Sequence, residues 1–315
     1  MTEPNPILQI SPHVRADASA YAQRFVRREP FRHVVIDEFF APDYAAQLLA
    51  EFPPFERGNA RNENGEIGNK ATVEKVRGLG PAYSALDDLV QSPALLSLVG
   101  RLTGIPDLLY DPWYFGGGTH ENRDGQELDP HVDFNRHPVE RWHRRLNLIV
   151  YLNHEWDDAW GGSLELHSDP RALDDRVTLV TPAYNRCVIF ETTETSWHGF
   201  SRIGRKPGSP PLSRKSIALY FYTRERPVEE LADTHSTIYV DRPLPERFRS
   251  GVTLDADDVE ELRFLIARRD QHNQRLYREI THLTGELEGA QKALYAGRLG
   301  RLRYLLQRLR TQFQR

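Results

Sequence analysis

The sequence His131-Val132-Asp133, followed far downstream by Trp197-His198, is the most informative pattern in this chain. In an extended strand successive side chains point to opposite faces, so His131 and Asp133 project the same way and can hold one metal ion together. His198, arriving from a distant strand, would complete a face of two histidines and one carboxylate. Such a ligand set leaves coordination positions open on a non-haem Fe(II) ion.

A second motif, Arg214-Lys215-Ser216, opens an apolar, strand-like run that continues through residues 217–222. Arg214 and Ser216 share a face of such a strand and would present a guanidinium fork and a hydroxyl to a carboxylate. An open Fe(II) face combined with a carboxylate anchor fits a chelating dicarboxylate. The two motifs together therefore predict 2-oxoglutarate as a co-substrate.

A competing triplet, His167-Ser168-Asp169, has the same spacing as the first. It follows Gly161-Gly162 closely and precedes Pro170, where a turn or a strand end is expected. The chain from His167 to His198 is also too short for a barrel that winds several strands between its first and last ligands. We therefore favour the first triplet; the alternatives are that His167 is the ligand, or that all of these are ordinary structural polar residues.

Longer stretches of the sequence carry a resemblance to a known family. They are Arg144–Asn153, Trp160–Leu166, Asn185–Phe190, Trp197–Gly199 and Arg214–Tyr220. In order and spacing they resemble the prolyl-4-hydroxylase-like branch of the Fe(II)/2-oxoglutarate-dependent oxygenases, over about residues 30–226 and most strongly over 131–222. The resemblance implies a double-stranded β-helix, with iron bound by His131, Asp133 and His198.

The resemblance also implies that Arg214, with help from Ser216, holds 2-oxoglutarate. Many collagen-type members of the family have lysine at this anchor, whereas this sequence has Arg214 followed by Lys215. The strand phase favours Arg214 because it shares a face with Ser216, and Lys215 stays open as the alternative.

The activity that the resemblance implies is hydroxylation of an unactivated C–H bond with O2, releasing succinate and CO2, with ascorbate as a candidate reductant. Tyr114 and Asn147 are candidate co-substrate contacts, and His120, His137 and Trp197 are candidates on the substrate side. The substrate stays open among a prolyl residue of a peptide or protein, a free amino acid, a glycan and a small natural product. The competing hypotheses are a cupin-like metal enzyme that does not use 2-oxoglutarate, and a non-catalytic barrel scaffold with a helical interaction tail.

Composition limits the other classes of function. The chain has 315 residues, 39% of them hydrophobic, and a net charge of -4. A net negative charge does not favour binding to nucleic acid. No stretch approaches the roughly 18 uninterrupted apolar residues of a transmembrane helix. Cys187 is the single cysteine, which excludes a disulfide framework. We expect a cytoplasmic protein without a transmembrane segment.

The order of elements predicts an α+β fold with a mainly β core. We expect N-terminal helices, a double-stranded β-helix (jelly roll) over about residues 107–226, and a C-terminal α-helical extension. The predicted domains are an oxygenase domain over 1–228, a linker over 229–255 and a coiled-coil-like extension over 256–315.

The extension carries an apolar stripe with the 3.5-residue repeat of a coiled-coil seam. Its members are Leu276, Ile280, Leu283, Leu287, Ala290 and Leu294. We rank a homodimer through 256–315 first, ahead of docking on the protein's own surface and of a membrane surface contacted by the basic C-terminal end.

Overall fold

The computed structural model describes residues 5–26, 29–58, 70–204, 211–242, 244–245, 247–295 and 306. The chain divides into two compact units, Met1–Pro243 and Leu244–Arg315. The end of the predicted helical extension, residues 296–305 and 307–315, lies outside the described residues.

Helices precede most of the strands in the first unit, and their ends follow local sequence signals. They are α1 (Pro12–Ala16), α2 (Ala18–Val26), α3 (Pro42–Ala50), α4 (Pro81–Gln91) and α5 (Pro93–Thr103). Four of the five begin with proline, whose missing N–H costs nothing at that position. At α5 the Ser92 hydroxyl accepts from the Leu95 N–H at 3.2 Å, and Gly104 ends the helix at φ 75°.

In the described part of the first unit, twelve strands form two antiparallel sheets. They are β1 (His33–Ile36), β2 (Ala71–Val73), β3 (Leu109–Tyr110), β4 (Gly118–Arg123), β5 (Leu128–Val132), β6 (His143–Tyr151), β7 (Leu164–His167), β8 (Val177–Val180), β9 (Arg186–Glu191), β10 (Trp197–Phe200), β11 (Ser213–Thr223) and β12 (Ile238–Tyr239). The large sheet has the order β1-β9-β6-β11-β4-β2, with β3 also pairing with β11. The small sheet has the order β12-β5-β10-β7-β8.

From β4 to β11 the chain passes back and forth between the two sheets. Strands β4, β6, β9 and β11 belong to the large sheet, and β5, β7, β8 and β10 belong to the small one. This winding is that of a double-stranded β-helix, and it confirms the predicted mainly β fold with N-terminal helices and a C-terminal helix. Strand β12 pairs with β5 and lies within the stretch predicted as a linker.

Two apolar clusters hold the barrel together. The larger packs the N-terminal helices on the outer face of the large sheet, where Leu146, Leu148 and Val150 of β6 are fully buried. The smaller lies between the sheets, where Phe190 of β9 packs with Leu166 of β7. Each buried side chain of this size contributes roughly 1.5–3 kcal/mol.

The second unit contains one long helix, α6 (Ala256–Tyr295). Its start is capped reciprocally: the Asp258 N–H donates to Asp255 Oδ1 at 2.9 Å, and the Asp255 N–H donates to Asp258 Oδ2 at 3.3 Å. Acidic residues at this end also match the helix dipole. Among the described residues, no helix has both the length and the apolar composition needed to cross a bilayer.

We predict that Asn185→Ala lowers the free energy of unfolding by about 2–4 kcal/mol. The Asn185 side chain accepts from the Phe40 N–H at 2.9 Å and donates to the Phe40 carbonyl at 2.8 Å. The change leaves the buried Phe40 N–H without a partner, whereas the carbonyl keeps the Ser11 hydroxyl at 2.9 Å. Asn185 also has φ 56°, a conformation that costs alanine more than glycine. Urea unfolding of Asn185→Ala and Asn185→Gly measures this, with the loss shared by both variants assigned to the hydrogen bonds. Wild-type stability in both would contradict the prediction.

Candidate metal centre

The structure brings His131, Asp133 and His198 together at the open end of the barrel. His131 on β5 lies directly opposite His198 on β10, with ring centroids 4.2 Å apart. The Nε2 atoms of His131 and His198 lie 3.8 and 3.5 Å from the two Asp133 carboxylate oxygens. Donors that share one ion, each roughly 2 Å from it, have separations of this order. The three side chains are therefore placed so that they could hold one metal ion.

The ring orientations leave the correct nitrogens free. His131 Nδ1 donates to the Asp129 carbonyl at 2.9 Å, and His198 Nδ1 donates to the Ser196 carbonyl at 2.9 Å. Because these bonds fix the tautomer, both Nε2 atoms carry a lone pair toward the centre. Burial lowers the pKa of His131 to about 3 and also lowers the pKa of His198. Both rings are thus neutral, as metal ligation requires.

Two side chains of β6 orient the Asp133 carboxylate. Asn147 Nδ2 donates to Asp133 Oδ2 at 2.7 Å, and Arg144 Nη2 lies 3.1 Å from the same oxygen. Burial alone would raise the pKa of Asp133, but the Arg144 guanidinium and the hydrogen bond from Asn147 outweigh it and hold the pKa well below its usual range. The Arg144 guanidinium lies 3.7 Å from the Tyr220 ring centroid. Asp133 is therefore ionised and oriented before any ion binds.

Arg214 lies inside the same barrel. Its guanidinium is 4.3 Å from the ring centroid of Phe200, which lies two residues beyond His198 on the same face of β10. Arg214 Nε donates to the Gly162 carbonyl at 2.6 Å, and Nη2 donates to the Tyr151 hydroxyl at 3.2 Å. Among the described residues no carboxylate pairs with Arg214, which is only 5% exposed. A buried guanidinium without a carboxylate partner would be stabilised by an anionic ligand.

Gly162 permits this approach of Arg214. It adopts φ +72°, and a Cβ there would lie 2.8 Å from the Trp156 ring and 3.4 Å from Arg214 Cδ. Glycine adopts such a conformation without strain, and here it also leaves room for the guanidinium.

Further polar residues lie side by side on neighbouring strands of the large sheet, on its inner face. Ser216 on β11 pairs with His120 on β4, and His120 pairs with Thr72 on β2. The Thr72 hydroxyl is buried and has no hydrogen-bond partner among the described residues. Lys70 interacts electrostatically with Asp133 and Arg214, and burial lowers its pKa to about 8. The interior therefore holds polar groups beyond those needed for a metal.

The candidate contacts predicted from the sequence separate into two groups. Asn147 contacts the ligand Asp133, as described above, and His120 faces the interior with Nε2 donating to the Gly116 carbonyl at 3.1 Å. Tyr114 instead packs in the outer cluster, where its hydroxyl donates to Asp87 at 2.9 Å. A φ of 50° at Tyr114 accompanies this orientation.

His137 and Trp197 also lie away from the metal site. His137 is fully buried; its Nε2 donates to Asp111 at 3.1 Å and its Nδ1 accepts from the Glu140 N–H at 2.9 Å, so it shapes the loop after β5. Trp197 precedes His198 on β10 and therefore faces the opposite side, where the Arg171 guanidinium lies 4.4 Å from its ring centroid.

The competing residues occupy other environments. His167 Nδ1 is 2.6 Å from Asp175 Oδ2 and its Nε2 is 3.3 Å from Glu165 Oε2, so both nitrogens are committed to carboxylates. Lys215 points to the opposite face of β11 from Arg214, and its Nζ lies 4.0 Å from Glu121 Oε1.

Sequence reasoning did not identify Tyr151, Arg144, Thr72 or Lys70 as site residues. Tyr151 lies four residues after Asn147, so alternation along β6 was an available signal for it. Arg144 is out of phase with both and reaches the interior where the register between β6 and β11 shifts, which the sequence does not encode locally. Lys70 and Thr72 come from a distant strand whose register with β4 is not encoded locally.

Comparisons with known proteins found similarities over part of this chain. The model of the 2OG-Fe(II) oxygenase superfamily matches residues 117–222, from the start of β4 into β11. Mouse prolyl 3-hydroxylase OGFOD1 is 31% identical over 111 residues, which are 31% of this chain and 20% of that protein. The chain therefore spans about a fifth of the length of this curated relative.

Solved structures of similar fold include two prolyl hydroxylases. One, from Trichoplax adhaerens in complex with a peptide of hypoxia inducible factor, is 16% identical with a TM-score of 0.48, covering 69% of this chain and 95% of that one. A prolyl-4-hydroxylase from Pseudomonas putida is 18% identical with a TM-score of 0.44. The match covers 66% of this chain and 100% of that one.

The carboxylates around His167 predict a pH-dependent stability that is separate from the metal site. Burial disfavours the imidazolium, but Glu165 and Asp175 outweigh it and raise the pKa of His167 above its ordinary value. The stabilisation is present below the unfolded pKa and is lost as pH rises through the folded one. Between pH 6 and 9, wild type should therefore lose unfolding free energy relative to His167→Gln in urea titrations without metal. If the unfolding free energies of wild type and His167→Gln changed equally with pH, the raised pKa of His167 would contribute nothing to stability.

Proposed function

We propose that this protein is an Fe(II)- and 2-oxoglutarate-dependent dioxygenase, because residues 117–222 match the model of the 2OG-Fe(II) oxygenase superfamily. It hydroxylates an unactivated C–H bond and releases succinate and CO2. The observation that carries the proposal is the charge of Arg214, buried without a carboxylate partner among the described residues, in the barrel that also holds the three metal ligands.

The donor set fits iron. Two neutral imidazoles and one carboxylate form the facial arrangement of non-haem Fe(II) oxygenases, and their ligating atoms all lie within 4.8 Å of one another. His131, Asp133 and His198 would hold the ion. Bound Fe(II) supplies the redox chemistry that activates O2, and the protein supplies binding and orientation. Hydrogen bonds fix the rings and the carboxylate, so little ordering is needed on binding.

The pocket around Arg214 fits a dicarboxylate. With Nε and Nη2 already oriented by Gly162 and Tyr151, the remaining guanidinium donors are available to one carboxylate, as is the buried Ser216 hydroxyl. Phe190, a member of the smaller apolar cluster, lies beside His198, at 4.7 Å between ring centroids. Arg214 is itself buried, and burial strengthens an ion pair with the co-substrate.

The competing hypotheses explain less of the site. A cupin-like enzyme without 2-oxoglutarate gives no reason to bury Arg214 without a counter-charge. A non-catalytic scaffold gives no reason to hold Asp133 ionised against its burial cost.

For the substrate we propose a prolyl residue of a peptide or protein, because the mouse relative is named a prolyl 3-hydroxylase. A free amino acid, a glycan or a small natural product are the alternatives. A cytoplasmic location is likewise proposed, and ascorbate is the proposed reductant for reactivation.

The metal ligands have a direct test. His131→Ala, Asp133→Ala and His198→Ala should each abolish iron-dependent formation of succinate from 2-oxoglutarate, because each removes one of three ligands. His167→Ala is the matched control and should keep the activity, since both of its ring nitrogens bind carboxylates. Succinate is measured by mass spectrometry alongside bound iron. Loss of iron in folded His167→Ala alone would place the site elsewhere.

The anchor is tested by titrating 2-oxoglutarate. Arg214→Ala should raise the concentration needed for half-maximal turnover on the order of 100- to 4,000-fold, because breaking a buried ion pair costs roughly 3–5 kcal/mol. Lys215→Ala, on the opposite face of β11, should change it little. A larger effect of Lys215→Ala would move the anchor to that residue.

A further inference from the structure

Helix α6 follows one heptad register along its described length. Writing Val259 as position a, the a positions are Val259, Ile266, Asn273, Ile280, Leu287 and Leu294, and the d positions are Leu262, Arg269, Leu276, Leu283 and Ala290. Nine of these eleven positions are apolar. The repeat therefore begins four residues into the helix, well before Leu276.

The seam is largely exposed. Ile266, Leu276, Ile280, Leu283 and Leu287 are 55–61% exposed, as is Leu294 at 58%. Gly285 and Gly289, which weaken the helix, occupy f and c positions outside the seam. A narrow apolar stripe with a period of 3.5 is the pattern of a coiled-coil seam, whereas a surface helix of a globular protein has a wider one.

The two polar positions in the seam specify an arrangement. Asn273 at an a position would face Asn273 of a second copy in a parallel, in-register pair, where the two amides bond each other. At the d position Arg269 would lie beside the e-position Asp270 of the other copy, and by symmetry this contact forms twice. In an antiparallel pair of equal helices, Asn273 and Arg269 would instead meet apolar residues such as Leu283.

We infer that α6 pairs with α6 of a second copy of this chain as a parallel two-stranded coiled coil. Ile266 and Ile280 at a and Leu262, Leu276 and Leu283 at d are the combination that favours two strands over three or four. The inference stands independently of the oxygenase activity.

The area is sufficient for a dimer. A helix of 40 residues is roughly 60 Å long at 1.5 Å per residue, and the seam between helices is about 8–10 Å wide. The pair would bury on the order of 1,000 Å² in total, which is about the threshold for a specific interface.

A membrane surface fits the seam less well. From Ala256 to Leu294 the helix carries eight acidic and six basic residues, and the g positions beside the seam include Glu279 and Glu286. Anionic lipid would be repelled at these positions, whereas helices that lie on such membranes have basic polar faces.

Disulfide trapping tests the orientation in the full-length protein. Cys187 is fully buried and is the single native cysteine, so an introduced thiol reacts alone. Leu283→Cys should form a disulfide-linked dimer under mild oxidation, because d positions face each other in a parallel pair. In an antiparallel pair about the helix centre the two thiols would be roughly 20 Å apart along the axis. Thr281→Cys, at the outward b position, is the matched control and should remain monomeric on a denaturing gel.

Sedimentation equilibrium supplies the second measurement. Wild type should have twice the monomer mass, and Leu276→Glu should return it to monomer mass while 2-oxoglutarate turnover is retained. Asn273→Val should remain associated but populate higher oligomers, because the residue that specifies two strands is gone. A monomeric wild type overturns the inference, including one that binds anionic vesicles, as does equal crosslinking of Leu283→Cys and Thr281→Cys. Loss of turnover in every form, with the dimer intact, would count against the oxygenase activity alone.

Discussion

The buried ion pair between Asp133 and Arg144 is the interaction on which the candidate site depends. His131 and His198 are placed by the hydrogen-bonded ladder of the small sheet, but Asp133 follows the last residue of β5. Its position is set instead by Arg144 and Asn147, which reach across from β6 in the large sheet. The position of the third candidate ligand therefore depends on how the two sheets pack against each other.

The two buried arginines of the interior, Arg144 and Arg214, differ in whether a carboxylate neutralises them. Arg144 is neutralised by Asp133 and stacked on Tyr220, so it belongs to the protein's own framework. Arg214 has oriented donors but no acidic partner among the described residues. Burying an unpaired guanidinium is costly, and the cost is recovered only when an anion binds. The absence of an acidic partner among the described residues therefore supports the proposed binding of a dicarboxylate as much as the position of Arg214 does.

Residues with a local signal were predictable from the sequence. The i, i+2 spacing of His131 with Asp133 and of Arg214 with Ser216 gave their shared faces. Long-range register gave no such signal, so Thr72 and Lys70 were not identified. Tyr114 was assigned to the site although its φ of 50° accompanies a turn into the outer core. Alternation along β10 already placed Trp197 opposite His198.

The heptad of α6 was predicted only in its second half, from Leu276 onward, for a physical reason. A search for apolar periodicity stops at Asn273 and Arg269, because each interrupts the stripe. On an isolated helix these residues weaken an apolar face. Between two parallel copies Asn273 meets itself, and Arg269 lies beside Asp270, so both are satisfied by symmetry. Asn273 and Arg269 therefore interrupt the apolar periodicity of the sequence. They also favour the parallel register, since an antiparallel partner would leave both against apolar side chains.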